Sequence, residues 1–291
     1  MMPLRRFTIH QPQSVAEAAE ILARHGENGR LYAGGTELLL ALKHDLLRYE
    51  HLVDVKTVPG LNGIELKNSR LSIGSLATHR AIEKSALVRA QLPVMAEMAR
   101  DVANVRVRAT GTLGGNLCFA EPHSDPANLL LCLQARAKIE GRRGQRTLGM
   151  DEFIVGAYET ALGSDEVLTG IEIPLPAKSQ RASYLKFQIR ERPTLGLALL
   201  VELDESGRNI TKARAVVGCI SPKPCRTDKA EALLVGPKEE VEKHLAEAAR
   251  ALAEAADPVD DLEGSAEYKR HLVGVFLRRA FDQALSISPP N

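Results

Sequence analysis

The chain has 291 residues, 44% hydrophobic and 26% charged, with 38 basic side chains set against 37 acidic ones for a formal charge of +1. That size and composition describe a globular protein with a sizeable core and room for two or three compact units. The near-neutral balance, with Lys and Arg scattered rather than striped, argues against a nucleic-acid partner. The proline-bearing, charged start argues against a secretory signal, and no apolar run is long enough for a membrane span, so the expected location is the cytoplasm.

The four cysteines, Cys118, Cys132, Cys219 and Cys225, form no Cys-x-x-Cys pair and have no histidines at zinc spacing. They read as isolated thiols. Iron–sulfur ligation takes clustered cysteines, so no cluster is expected on this chain. The eight histidines contain no His-Glu-x-x-His pattern, and no metal site is expected either.

Ser14 followed by Glu17 reads as a capping box that opens a helix with Val15, Ala18, Ala19 and Leu22 on its apolar face, ending near Gly26. A strand over 29–33 leads into Gly34-Gly35, and Thr36 is the expected N-cap of a second helix that carries Leu38, Leu39, Leu40, Leu42 and Leu46. Strands are expected over 51–55 and 71–74, separated by a turn-rich stretch. From Thr78 the pattern is helical, and Pro93 suits an early position in a helix that places Val94, Met95, Met98 and Val102 in the core.

Residues 106–118, rich in glycine and small side chains, read as a loop. Asp125-Pro126 opens a helix carrying Leu129, Leu130, Leu133 and Ala135, and a hairpin follows, turning at Gly141-Arg142-Arg143-Gly144. A strand over 167–173 precedes Pro174, with a domain boundary near Lys178. Beyond it, strands over 183–190, 196–203 and 211–219 make a three-stranded antiparallel sheet, the last two joined by a hairpin at 204–207. Long helices over 238–256 and 265–285 have the spacing to cover one sheet face, and the last six residues form a tail. The fold class is α+β.

Two segments concentrate glycine where the chain changes direction: Ala33-Gly34-Gly35-Thr36-Glu37 and Thr110-Gly111-Thr112-Leu113-Gly114-Gly115-Asn116. Glycine reaches positive φ and lacks a Cβ, so successive amides can approach an anion such as a pyrophosphate closely. The same composition also makes plain tight turns, and spacing alone leaves both readings open. Neither segment matches Gly-x-Gly-x-x-Gly or Gly-x-x-x-x-Gly-Lys-Ser/Thr, which argues against a Rossmann dinucleotide site and a P-loop. Asp125 reads as a helix cap, Leu168 as a strand core residue, and Lys186 as a solvated strand lysine.

Taken in order, the two glycine segments, the first extended by Leu38, then Pro122 with Ser124-Asp125, then 168–174, then Lys186 with Arg190, resemble a known family over nearly the whole chain. It is the FAD-binding medium subunit of the molybdenum hydroxylases, the xanthine dehydrogenase and aerobic carbon monoxide dehydrogenase group. The resemblance implies a PCMH-type FAD-binding domain over 1–178, with subdomains over 1–57 and 58–178, and a carbon monoxide dehydrogenase flavoprotein-type domain over 179–291.

It further implies that Ala33, Gly34, Gly35, Thr36, Glu37, Thr112, Gly114, Gly115 and Asn116 hold the pyrophosphate of non-covalent FAD, mainly through amides and threonine hydroxyls. Asp125 would accept from a sugar hydroxyl, the backbone of Leu168 would lie beside the flavin, and Lys186 would reach the cofactor. No residue of the chain would be catalytic on substrate. Electrons would come from a small [2Fe-2S] subunit, substrate would be oxidised on a large molybdopterin subunit, and the complex would be a dimer of heterotrimers. Where xanthine dehydrogenases often carry an acidic pair near the flavin, this sequence has Pro193 and Thr194, which puts NAD as electron acceptor in doubt. The segment from Gly115 to Asp125 leaves no room for the cysteine-rich insertion of hydroxybenzoyl-CoA-oxidising relatives. The rival readings are a free-standing FAD-dependent oxidase or reductase of the same fold, which low aromatic content disfavours, and a scaffold that has lost its flavin, which the intact glycine loops disfavour.

Overall fold

The computed structural model describes residues 5–189 and 192–287; Arg190 and the end of the expected tail lie outside them. The chain divides into two compact units, Met1–Ala120 with Ala135–Ile173, and Glu121–Gln134 with Pro174–Asn291. No helix among the described residues is long and apolar enough to cross a membrane. All four cysteines are free thiols.

The first unit opens on a parallel sheet of β1 (Thr8–His10), β2 (Gly29–Tyr32) and β3 (His51–Asp54), in the order β1-β3-β2. Helix α1 (Val15–His25) begins where the Ser14 hydroxyl accepts from the Glu17 amide at 3.1 Å, while the Glu17 carboxylate accepts from the Gln13 amide at 2.7 Å, one residue further out than a capping box requires. It stops at Gly26, whose φ of 53° a glycine adopts without strain. Ala18 and Leu22 of α1 pack on Val53 and Val55.

Helix α2 (Leu38–Lys43) is shorter than the leucine run predicts, and its N-cap is Glu37 rather than Thr36. The chain turns at Asp45, φ 57°, and Leu46 is 76% exposed. An apolar run extends the periodic pattern past the point where the backbone has already left the helix.

A second sheet joins β4 (Ile64–Lys67), β5 (Arg70–Gly74), β6 (Arg136–Gly141), β7 (Gly144–Gly149) and β10 (Glu166–Pro174) in the order β4-β5-β10-β6-β7. The strands β8 (Ile154–Gly156) and β9 (Glu159–Thr160) pair separately. Helices α3 (His79–Lys84), α4 (Ala86–Gln91) and α5 (Pro93–Asp101) pack together, with Met95, Met98 and Val102 buried. The expected loop over 106–118 is instead two short helices, α6 (Val105–Thr110) and α7 (Leu113–Phe119). Asn104 caps the first, its side chain accepting from the amides of Arg106 and Val107, and Thr112 caps the second. Glycine disfavours helix interiors, but caps and tertiary contacts outweigh that penalty here. Helix α9 (Met150–Phe153) follows β7.

The second unit is built on an antiparallel sheet of β11 (Gln180–Gln188), β12 (Pro193–Leu203), β13 (Asn209–Gly218) and β14 (Gly236–Pro237). The last, a two-residue strand, makes it four-stranded rather than three-stranded. After α10 (Asp228–Ala232), α11 (Lys238–Ala256) and α12 (Ala266–Ser286) fall where the helical spacing puts them. Leu195, Leu197, Leu199 and Val201 of β12 share one core with Val241, Leu245, Phe276 and Phe281. The alternate residues of β12 are buried as well, because α8 (Asp125–Cys132) packs on β12 and β13. The central strand is therefore covered on both faces, which is why its sequence runs apolar without alternation.

Candidate cofactor site

The two glycine segments meet within the first unit. A Cβ on Gly34 would lie 2.2 Å from the Thr110 carbonyl oxygen, and one on Gly111 would lie 3.4 Å from the Thr36 hydroxyl. Backbone thus packs on backbone, and only glycine permits it. Gly35, at φ 73°, turns the chain from β2 towards α2, and its missing side chain makes room for the Tyr32 ring. Among the described residues, the amides of Gly34, Gly35 and Thr36 have no backbone acceptor. Successive donors around a positive-φ residue are the pattern from which anion-binding concavities are built, so this donor set fits a pyrophosphate.

Lys56 stands at the start of the same loop. Its Nζ lies 3.7 Å from the centroid of the Tyr32 ring, donates to the Ala33 carbonyl at 3.1 Å, and meets Asp54 Oδ1 at 2.6 Å. A lysine one turn past a strand carries no sequence signal of such a contact.

The second segment is organised differently. Leu113 donates to the Ala77 carbonyl at 2.9 Å, Gly114 to the Ser75 carbonyl at 2.8 Å, Gly115 to the Thr112 hydroxyl at 3.0 Å and Asn116 to the Thr112 carbonyl at 3.0 Å. These amides have acceptors within the protein. Gly114 is glycine because a Cβ would lie 2.6 Å from the Ser75 Cβ. Leu168 is 3% exposed in β10, next to the irregularity at which the register with β6 shifts, and the adjacent Thr169 carbonyl accepts from Ser75 at 3.0 Å.

His79, behind these contacts, is 2% exposed and donates its amide to the Gly111 carbonyl at 3.1 Å. Burial, reinforced by Arg108, lowers its imidazole pKa to about 4.

In the second unit Asp125 and Lys186 come together. Asp125 is the first residue of α8, with Ser124 in the cap position. Its carboxylate accepts from the Tyr184 hydroxyl at 2.6 Å and from Lys186 Nζ at 3.1 Å. Lys186 is therefore not a solvated strand lysine. Tyr184 and Lys186 sit two apart on β11 and so share a face. Burial, with the Asp125 charge beside it, raises the Tyr184 pKa well above the ordinary phenol value. The same two causes raise Cys219, and the Asn128 amide donates to its sulfur at 3.5 Å.

Asn128 enters the sheet through a gap formed by two glycines that face each other across β12 and β13. A Cβ on Gly218 would fall 1.7 Å from Asn128 Oδ1, and one on Gly196 would fall 2.6 Å from both Asn128 Nδ2 and the Tyr184 hydroxyl. Tyr184, Asn128, Gly196 and Gly218 belong to none of the motifs in the sequence. A paired glycine in adjacent buried strands was the available signal.

Comparison with known proteins decides the family. The FAD binding domain in molybdopterin dehydrogenase matches residues 5–176, and the CO dehydrogenase flavoprotein C-terminal domain matches residues 185–284. The chain belongs to the FAD-binding medium subunits of the carbon monoxide dehydrogenase and xanthine dehydrogenase family. It is 33% identical over 285 residues to the carbon monoxide dehydrogenase medium chain of Hydrogenophaga pseudoflava, covering 96% of this chain and 97% of that one. To the nicotine 6-hydroxylase medium subunit of Paenarthrobacter nicotinovorans it is 32% identical, covering 97% and 99%. A solved structure of the H. pseudoflava carbon monoxide dehydrogenase lacking the Mo-pyranopterin moiety superposes with a TM-score of 0.91 at 33% identity, covering 97% of this chain and 98% of that one. This medium subunit thus has the α+β fold and the FAD-binding domain that the resemblance implied, and its relatives are oxidoreductase subunits.

Proposed function

We propose that this medium subunit carries non-covalent FAD within a cytoplasmic molybdenum hydroxylase and passes electrons from a small [2Fe-2S] subunit to an external acceptor. A large molybdopterin subunit would oxidise the substrate, and the assembly would be a dimer of heterotrimers. The observation that carries this reading is the end-to-end match to medium chains of such enzymes, with both domain models satisfied in order.

Bound FAD supplies a carrier that exchanges electrons one or two at a time, and the protein's part is to hold and tune it. In this reading Gly34, Gly35 and Thr36 donate to the pyrophosphate, with Ala33 and Glu37 framing the turn. Thr112, Gly114, Gly115 and Asn116 act by shape, fixing the backbone on which the first loop rests. Asp125 accepts from a sugar hydroxyl through its carboxylate oxygens, the strong acceptors of the site. Lys186 lends positive charge to the cofactor, and the backbone of Leu168 lies beside the flavin. Pro193 and Thr194, in place of an acidic pair, leave NAD disfavoured as the acceptor.

Purification from the native host tests the reading. The expected result is a yellow complex that releases FAD on denaturation and retains iron–sulfur and molybdenum companions. A colourless chain that takes up no added FAD, or a lone monomer that turns over substrate by itself, would overturn it.

A further inference from the structure

Three histidines far apart in the sequence meet on one edge of the first unit: His10 at the end of β1, His25 at the end of α1 and His51 at the start of β3. His10 Nε2 lies 3.0 Å from His51 Nδ1, and the His25 ring stacks on that of His51 with centroids 3.6 Å apart. One ligand atom from each lies within 4.8 Å of the other two. In a neutral imidazole one ring nitrogen donates and the other accepts, so the His10–His51 contact requires at least one ring to be neutral.

The local fold has room for this cluster. Gly29 is the register partner of His51 in the parallel sheet, and a Cβ there would sit 3.2 Å from the His25 Cβ. A glycine facing His51 thus lets the end of α1 close over the strand and bring the third ring in. All three rings are half-buried, within reach of solvent and of an entering ion.

We propose that His10, His25 and His51 form a binding site for a zinc-type divalent ion, with water completing a four-coordinate shell. Zinc takes imidazole nitrogens at about 2.0–2.1 Å, which places tetrahedral ligand atoms roughly 3.3 Å apart. The His10–His51 pair already has nearly that separation, so coordination asks that these two nitrogens turn from each other towards a shared ion and that the His25 ring tilt out of its stack. The ion would fasten the end of α1 to β1 and β3, adding to the β1–β3 pairing and the packing of α1 on β3, and would stabilise the folded state by mass action. It does not touch the glycine loops and is independent of flavin binding.

The test uses the full-length flavin-loaded protein, stripped with chelator and titrated with Zn2+ alone by calorimetry. The expected result is uptake of a single equivalent accompanied by a higher Tm, with His25→Gln, His51→Gln and His10→Gln each weakening uptake at least ~10-fold, the effect of disturbing even an outer-shell partner. Diethylpyrocarbonate labelling of the unmutated protein, read by mass spectrometry, serves as a second measurement that needs no folded variant. Zn2+ should protect His10, His25 and His51 and leave the exposed His44 and His244 reactive. Absence of uptake, uptake unchanged in all three variants, or protection confined to other histidines would each overturn the proposal.

Discussion

Asp125 and Lys186 form an ion pair at 3.1 Å with side chains only 5% and 12% exposed, the carboxylate from the first turn of a helix and the ammonium from a strand sixty-one residues on. Breaking such a pair from one side leaves a charge without its partner in a dry setting, at a cost of about 3–5 kcal/mol. Lys186→Met should therefore destabilise the second unit by that order, whereas Asp125→Asn combined with Lys186→Met should cost clearly less than the sum of the single changes. Urea unfolding of the four proteins of the cycle measures the coupling, and additive losses would show that the pair is not energetically joined.

His79 sets an expected acid limit. Its imidazole pKa is lowered from 6.5 to about 4 in the folded protein, chiefly by burial. Between those values the unfolded chain binds a proton that the folded one refuses, so this stability is complete above pH 6.5 and is lost as the pH falls towards 4. A gap of that width corresponds to roughly 3 kcal/mol. Chemical denaturation at a series of pH values should show the decline, and His79→Leu should flatten it.

Two glycines of the first unit should respond differently to alanine. At Gly34 the added Cβ meets the Thr110 carbonyl oxygen at 2.2 Å, backbone that has nowhere to retreat, while at Gly60 it meets nothing within 4 Å and only the φ of 83° is unfavourable. Gly34→Ala is expected to cost about 2–3 kcal/mol or more and to strip flavin, and Gly60→Ala about 1 kcal/mol with flavin content unchanged. Thermal unfolding and the ratio of flavin to protein absorbance distinguish them.

Gly218→Ala forces its new methyl to within 1.7 Å of Asn128 Oδ1. Because Asn128 is fully buried, it has little room to swing away, and soluble expression should drop sharply. Adding Asn128→Ala removes the obstacle and should restore much of the yield. Failure of that rescue would mean that the glycine is required by the strand backbone itself.

Legibility in the sequence followed the range of the forces involved. Helices α11 and α12 and the hairpin between β12 and β13 are set by local periodicity and turn residues, and they lie close to where the pattern puts them. Helix α7 reads as loop because Gly114 and Gly115 are poor helix formers, and the amides of Leu113 and Gly114 are organised by the carbonyls of Ala77 and Ser75, nearly forty residues earlier. The α2 N-cap was misplaced by one residue, since a threonine before a leucine run looks the same whether or not its hydroxyl faces an amide. The first glycine segment was legible because close backbone approach has a compositional mark. Tyr184 and Asn128 have none, since their meeting with Asp125 and Cys219 depends on strand register and on which face of the sheet α8 covers.

Helix α8 also bears on how the polypeptide can be cut. All eight of its residues are buried, and the strands that bury them, β12 and β13, are synthesised some sixty residues or more later. A fragment ending near residue 178 would display Leu129, Leu130 and Leu131 to solvent with no sheet to receive them. Such a fragment should aggregate on expression although it holds every residue of the first unit. During translation the same segment must stay shielded until the C-terminal strands have left the ribosome.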